Sequence, residues 1–256
     1  MTQLSDTYHL LQRHVRETIR IPIWIFVSLV QPIIWLALYG QLFRRIVEIP
    51  GFQATSYIQF LTPGVVVMTA LFGSLWAGMG LIQDIDAGVL DRLLATPVNR
   101  TALVAARVLH STLTVTVQSV IILLMGFLLG ASLPGRVGGF LAIILISALL
   151  SAGIGCFSVC VALLARREET LIAIVNFFGL PLTFLSTAFM ARALMPGWIQ
   201  AIARANPIDW AVVACRDAML GQHWGSVWLY CTLLLVFVLI GAFAATQAFR
   251  AYRRSS

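Results

Sequence analysis

Asp84, Asp86 and Asp91 are the residues of this chain best placed to do chemistry, because three carboxylates in the short stretch 84–91 could hold a divalent metal and a diphosphate. That arrangement would suit a membrane-embedded transferase. No second acidic cluster in the sequence completes such a site, so solvated loop charges are the plainer reading. Cys156 and Cys160 share a helix face at i, i+4, a spacing two metal ligands can use. No His, Asp or Glu lies near them in sequence, and with Cys215 and Cys231 they read as small apolar packing residues. A serine nucleophile needs a base at its own depth. Ser132, in Gly130-Ala131-Ser132-Leu133, falls at one end of an apolar segment and His110 at the other. All 17 basic residues are arginine, and without lysine no G-x-x-x-x-G-K-[ST] phosphate loop exists. No catalytic residue, metal ligand or bound cofactor is therefore assigned to this chain.

The elements that must position these residues are apolar. Of 256 residues 60% are hydrophobic and 11% charged, and the mean hydropathy is +0.93. A soluble domain carries about a quarter charged residues. Charge-free stretches run over 21–43, 49–83, 108–135, 137–165, 170–191 and 218–249, each longer than the roughly 20 residues that cross a hydrocarbon core. They predict an all-α membrane protein, a single transmembrane domain over 1–256. Its six spans are expected near 22–43, 57–82, 108–130, 138–164, 170–190 and 227–249. Six spans put both termini on one side. Eleven arginines fall on that side and six on the other, and the positive-inside rule makes it the cytoplasm. The six spans hold no Asp, Glu or Arg, which argues against a proton- or sodium-coupled carrier.

Three further elements are legible. Leu4, Tyr8, Leu11, Val15 and Ile19 recur at steps of three and four, so residues 1–21 read as an amphipathic helix in the cytoplasmic interface. Ser147, Ser151 and Gly155, beside Ala148, Ala152 and Cys156, form a small-residue stripe that lets helix backbones approach closely. The segment 191–225, punctuated by Pro196, Gly197 and Pro207 and with Asp209 interrupting its second apolar stretch, predicts two short helices, a re-entrant hairpin in the outer leaflet before the last span.

Between spans two and three lies the cytoplasmic loop 83–107. Val89, Leu90, Leu93 and Leu94 share one helix face, with Asp86, Asp91 and Arg92 on or near the other. Thr96 precedes Pro97, so the helix should stop by Ala95. Asn99 or Thr101 can cap the next. Such a helix suits insertion into a groove on a soluble partner, or it lies on the membrane surface.

The string from Asp84 through Asp86, Gly88, Leu90, Asp91, Arg92, Leu93, Leu94, Thr96 and Pro97 to Arg100 resembles the cytoplasmic-loop signature of ABC-2 type transporter permeases, most like the drug-resistance permeases of the daunorubicin exporter kind. The segment from Asn206 and Pro207 to Arg216 and Gly221 looks like that family's stretch before its last span. Asp86 stands where the family often has Glu, and Ile85 where a basic residue is common. The resemblance implies the permease subunit of an ATP-driven exporter in a prokaryotic cell membrane. ATP and Mg²⁺ would be bound by a separate ABC ATPase that docks on residues 84–97 and the N-terminal helix. A second permease copy or paralogue and membrane lipid are the other implied partners, and no nucleic acid is expected. The implied cargo is a hydrophobic or amphiphilic compound such as a drug, antibiotic or lipid-like metabolite. A lipid-linked saccharide or glycolipid is the alternative.

Overall fold

The computed structural model describes residues 3–20, 23–48, 56–89, 92 and 100–254, and every regular element among them is helical. In chain order these are α1 (Gln3–Arg20), α2 (Ile23–Ile34), a π turn (Trp35–Tyr39), α3 (Gly40–Leu42) and a 3-10 turn (Arg44–Glu48). After these come α4 (Tyr57–Leu75), α5 (Ala77–Asp86), α6 (Arg100–Leu128), α7 (Arg136–Ala165) and α8 (Glu168–Phe184). A 3-10 turn (Arg192–Leu194), α9 (Gly197–Ala203), α10 (Pro207–Leu220) and α11 (Trp224–Arg254) complete the chain.

Among the described residues four helical stretches are long and apolar enough to cross a membrane: Tyr57–Asp86, Thr101–Leu128, Arg136–Ala165 and Trp224–Ala251. The sequence expects six spans. The two segments that fall short have visible causes. Pro32 removes a backbone donor inside α2, and the helix loosens into the π turn that follows it. α8 stops at Phe184 rather than reaching residue 190, because the Asn206 side chain donates to the carbonyls of Leu182 (2.7 Å) and Leu185 (3.1 Å), satisfying groups that a longer helix would use. At the other end, α6 starts at Arg100, well before residue 108, so its first two turns extend the third span. Thr101 therefore lies within the helix rather than capping it. Asn99 and the stop at Ala95 lie outside the described residues.

α7 is the central post, packed by α11, α6, α4 and α10. Ile143, Ile146, Leu150 and Val159 are wholly buried along it. The small-residue stripe does what its spacing predicts. The Ser74 hydroxyl donates to Ser151 Oγ at 2.7 Å, and Gly155 packs against Ser111 and Val108 of α6. A further contact serves the break between α4 and α5 at Trp76. Ser158 Oγ accepts from the Gly78 amide at 2.9 Å and its hydroxyl donates to the Leu75 carbonyl. One α7 side chain thus satisfies backbone groups on both sides of the break. The outward faces of α2, α8 and α11 carry Phe26, Val30, Phe177, Phe184, Trp228, Leu239 and Phe243, all exposed. Such a continuous apolar exterior suits hydrocarbon rather than water.

Candidate functional site

α5 runs from the Trp76 break to Asp86, and its end is built by the motif glycine. The Gly88 amide bonds back to the Ile85 carbonyl at 2.9 Å with φ of +65°, a left-handed turn that L side chains enter at a cost. The chain then bends into the next turn, where the Arg92 amide reaches the Gly88 carbonyl at 3.3 Å. Asp86 and Arg92 are exposed there. Leu90, Asp91, Leu93, Leu94, Thr96 and Pro97 lie outside the described residues.

Asp84 is used differently from its motif neighbours. One carboxylate oxygen pairs with the Arg107 guanidinium from α6, and the other lies 3.7 Å from Arg13 of α1. Arg107 also donates to the Gly80 carbonyl at 2.8 Å. A single acidic group therefore ties the end of α5 to both α6 and α1. This weakens a metal role for Asp84, because two cations already occupy its oxygens. Among the described residues no group of three or more His, Cys, Asp or Glu could hold a metal ion.

α1 docks on α6 through Leu10, His14 and Thr18. Thr18 Oγ1 and His110 Nε2 are 2.7 Å apart, and the His14 and His110 rings are 5.7 Å apart. Burial, and next the Arg107 charge, hold the His14 imidazole below its usual range. The stripe that the sequence marked as apolar lies on another face. Tyr8 and Ile19 are exposed, and Leu11 and Val15 are half-buried. The protein thus holds α1 by a face with polar groups, and the apolar stripe is only partly covered. The pairing of Asp84 with Arg107 and Arg13, and of Thr18 with His110, was missed because nothing in the spacing links residues that lie 23 to 92 positions apart in sequence.

At the opposite end, Asn206 caps α10 by accepting from the Ile208 amide at 2.9 Å while its amide group closes α8. Pro207 takes the first helical position, where a missing N–H costs nothing. Asp209, 1% exposed, accepts from the amide (2.8 Å) and hydroxyl (2.7 Å) of Thr187 and pairs with Arg192. Arg216 donates to the Thr187 carbonyl at 3.0 Å and lies 3.8 Å over the Phe60 ring. Asn206, Pro207 and Arg216 thus form a brace that fixes α8, α10 and α4 together. Its anionic centre, Asp209, was visible in sequence only as an interruption of an apolar stretch.

Asp84 of the first motif and Asn206, Asp209 and Arg216 of the second therefore join helices, and among the described residues no group of three or more His, Cys, Asp or Glu could hold a metal ion at either. Comparisons with known proteins agree with that architecture. A family model described as ABC-2 type transporter matches residues 5–220. The chain is 33% identical to ycf38 of Cyanophora paradoxa, named as a transport permease, over 90% of this chain and 78% of that one. It is 28% identical to the daunorubicin resistance ABC transporter permease protein DrrB1 of Streptomyces coeruleorubidus, over 100% of this chain and 88% of the relative. With the inner membrane transport permease YadH of Escherichia coli it shares 25% identity, over 86% and 85% of the two chains. With its apolar helices, its two motif joints and a family match over most of its length, this integral membrane protein belongs to the ABC-2 type transporter family.

Proposed function

We propose that this chain is the membrane permease subunit of an ABC exporter, moving a hydrophobic or amphiphilic compound out of the cytoplasm or inner leaflet. A separate ABC ATPase, binding ATP and Mg²⁺, docks on the 84–97 segment and supplies the energy. The observation that carries this reading is the pairing of Asp84 with Arg107 and Arg13, which joins the end of the docking segment to two other helices. A push on that segment is then delivered to α1, α5 and α6 together. The name of the DrrB1 relative, which couples drug resistance to an ABC permease, supports the cargo class.

In this reading the chain crosses the cell membrane six times with both termini in the cytoplasm. The two short spans are α2 with its π turn and α3, and α8. The latter's 17 residues rise about 26 Å, a mismatch that local bilayer thinning absorbs. α1 lies in the cytoplasmic interface with Tyr8 and Ile19 toward lipid. α9 and α10 form the hairpin in the outer leaflet. A second permease copy or paralogue completes the pathway.

The test is to purify the chain with the ATPase encoded beside it and measure vanadate-sensitive ATP hydrolysis. Stable association and stimulated hydrolysis are expected. A chain that neither binds nor stimulates that ATPase would overturn the proposal.

A further inference from the structure

Hydrocarbon offers a side-chain amide no hydrogen bond, so an amide that faces lipid in mid-span carries its desolvation cost without compensation. Most amides within the expected spans avoid that position. Gln59 and Gln118 are buried, and Gln41 and Gln247 lie close to the ends of their spans. Gln31 of α2 and Asn176 of α8 do not avoid it. Both are exposed, and neither side chain makes a hydrogen bond among the described residues. Each stands eight residues into its helix, counted from Ile23 and from Glu168, a rise of about 12 Å. With both helices entering from the cytoplasm, the two amides share one depth.

The two helices flank one side of α4. Gln31 and Trp35 of α2 line a cavity together with Phe72 and Trp76. The same Phe72 reaches α8, where a Cβ on Gly179 would come 3.1 Å from its ring. Further along both helices, Trp35 and Phe184 pack on Phe189, with ring centroids 5.1 and 5.8 Å away. The surface around the amides is apolar, with Val30 and Ile34 exposed on α2 and Phe177 and Leu180 on α8. Lipid covers such residues as well as protein does. It cannot match the amides, and that selects a protein partner.

We propose that a second copy of this chain covers the α2–α8 side, with Gln31 of each protomer hydrogen-bonded to the partner's Asn176. Two copies inserted the same way are related by a two-fold axis along the membrane normal. Rotation about that axis leaves depth unchanged, so only groups at equal depth meet across the seam, as Gln31 and Asn176 do. Each amide holds donors and an acceptor, so the pair matches itself, and the symmetry makes it occur twice. Polar pairs of this kind hold helices together in lipid. The interface rests on the permease reading for its six spans and its second copy, and it adds which faces meet and which residues join them.

The full chain, carrying donor or acceptor fluorophores at its C-terminus, is reconstituted in phosphatidylcholine liposomes, and energy transfer is followed as lipid dilutes the protein. A dimer is expected. Gln31→Leu and Asn176→Leu should each weaken it about tenfold, the loss of two interhelical hydrogen bonds. The double variant should be no weaker than either single one, because each substitution already breaks both bonds. Leu180→p-benzoylphenylalanine, one turn from Asn176, should on irradiation give a dimer cross-linked through α2 of the other copy. Multiplying losses in the double variant, a dimer indifferent to both substitutions, a chain monomeric at every density, or one that pairs only with a paralogue would each overturn the interface. Unchanged dimerisation with transport lost would give the amides to the cargo and overturn it too. Should a leucine variant misfold, the Leu180 photo-adducts still decide. A dimer that responds as stated but recruits no ATPase would sink the permease reading and leave the interface standing. ATPase coupling by a chain whose dimerisation ignores both substitutions would do the reverse.

Discussion

Ser158 on α7 accepts a hydrogen bond from the Gly78 amide at 2.9 Å while its hydroxyl donates to the Leu75 carbonyl, so one side chain holds both sides of the α4–α5 break. Losing it leaves a buried N–H and a buried C=O short of partners. Ser158→Ala should cost about 1–3 kcal/mol, read as a lower thermal unfolding midpoint in detergent. Gly78→Ala should cost more, because its Cβ would lie 2.5 Å from the Ser158 backbone oxygen. Ser147 bonds only the Ile144 carbonyl of its own helix. Ser147→Ala should therefore be nearly silent, and an equal loss in both serine variants would refute the special role of Ser158.

The Asp84–Arg107 pair should transmit motion as well as hold structure. Asp84→Asn and Arg107→Met each leave a partly buried charge without its partner, at a stability cost of about 1–3 kcal/mol given partial exposure. In the complex with the ATPase, stimulated hydrolysis should fall about tenfold while membrane insertion persists. The exchanged double variant, Asp84→Arg with Arg107→Asp, should recover part of the loss. Full activity in both single variants would remove the pair from the coupling route.

Docking of α1 on α6 should weaken in acid. The docked His14 binds its proton less readily than the free imidazole, whose usual value is 6.5, because of burial and the nearby Arg107, opposed by Glu17 and Asp84. The undocked state therefore binds more protons as pH falls, so docking is at full strength above about 6.5 and is lost progressively below it. His110 and Arg13 also face this site, and a proton on His14 adds to the positive charge there. Protection of the α1 amides, taken as their exchange relative to the intrinsic rate at each pH, should fall between pH 7 and pH 5. His14→Gln should flatten that response, and an unchanged slope in the variant would refute the assignment.

If residues 84–97 dock the ATPase as proposed, Leu90→Asp or Leu93→Asp, each replacing an apolar residue of that segment by a charge, should abolish ATPase stimulation while leaving expression and insertion intact. The measurement is co-purification and hydrolysis side by side. Normal stimulation in both would discard the docking role of residues 84–97.

Asn206 makes two kinds of bond that substitution can separate. Asn206→Asp keeps the acceptor for the Ile208 amide but loses both donors to α8, whereas Asn206→Ala loses all three bonds. Losses of about 1–2 kcal/mol for Asp and about 2–3 kcal/mol for Ala are expected from the cap and the bonds to buried carbonyls. Equal midpoints for the two would show that the cap itself contributes nothing.

Membrane residence, the four long spans and both motifs were legible from residue type alone. Hydrocarbon imposes a length and a lack of charge, and both are local properties of the chain. The close-packing role of Ser151 and Gly155 was likewise readable from spacing. The family resemblance was correct, but the sequence reading carried a helix from Asp86 towards Ala95 and did not expect the left-handed turn at Gly88 that follows the end of α5. What no local pattern contained was pairing across distance. Asp84 read as one of three loop carboxylates, yet the fold puts it between Arg107 and Arg13. Asp209 read as a flaw in an apolar stretch, yet it anchors Thr187 and Arg192. The apolar stripe of α1 read as the side that lies in the membrane interface, and nothing in it showed that the helix docks through another face, with His14 and Thr18. Periodicity reports which side chains avoid water, whereas a buried polar group is placed by the partner that satisfies it. In this protein that partner is usually many residues away, and only the packing of α1, α5, α6 and α10 brings the two together.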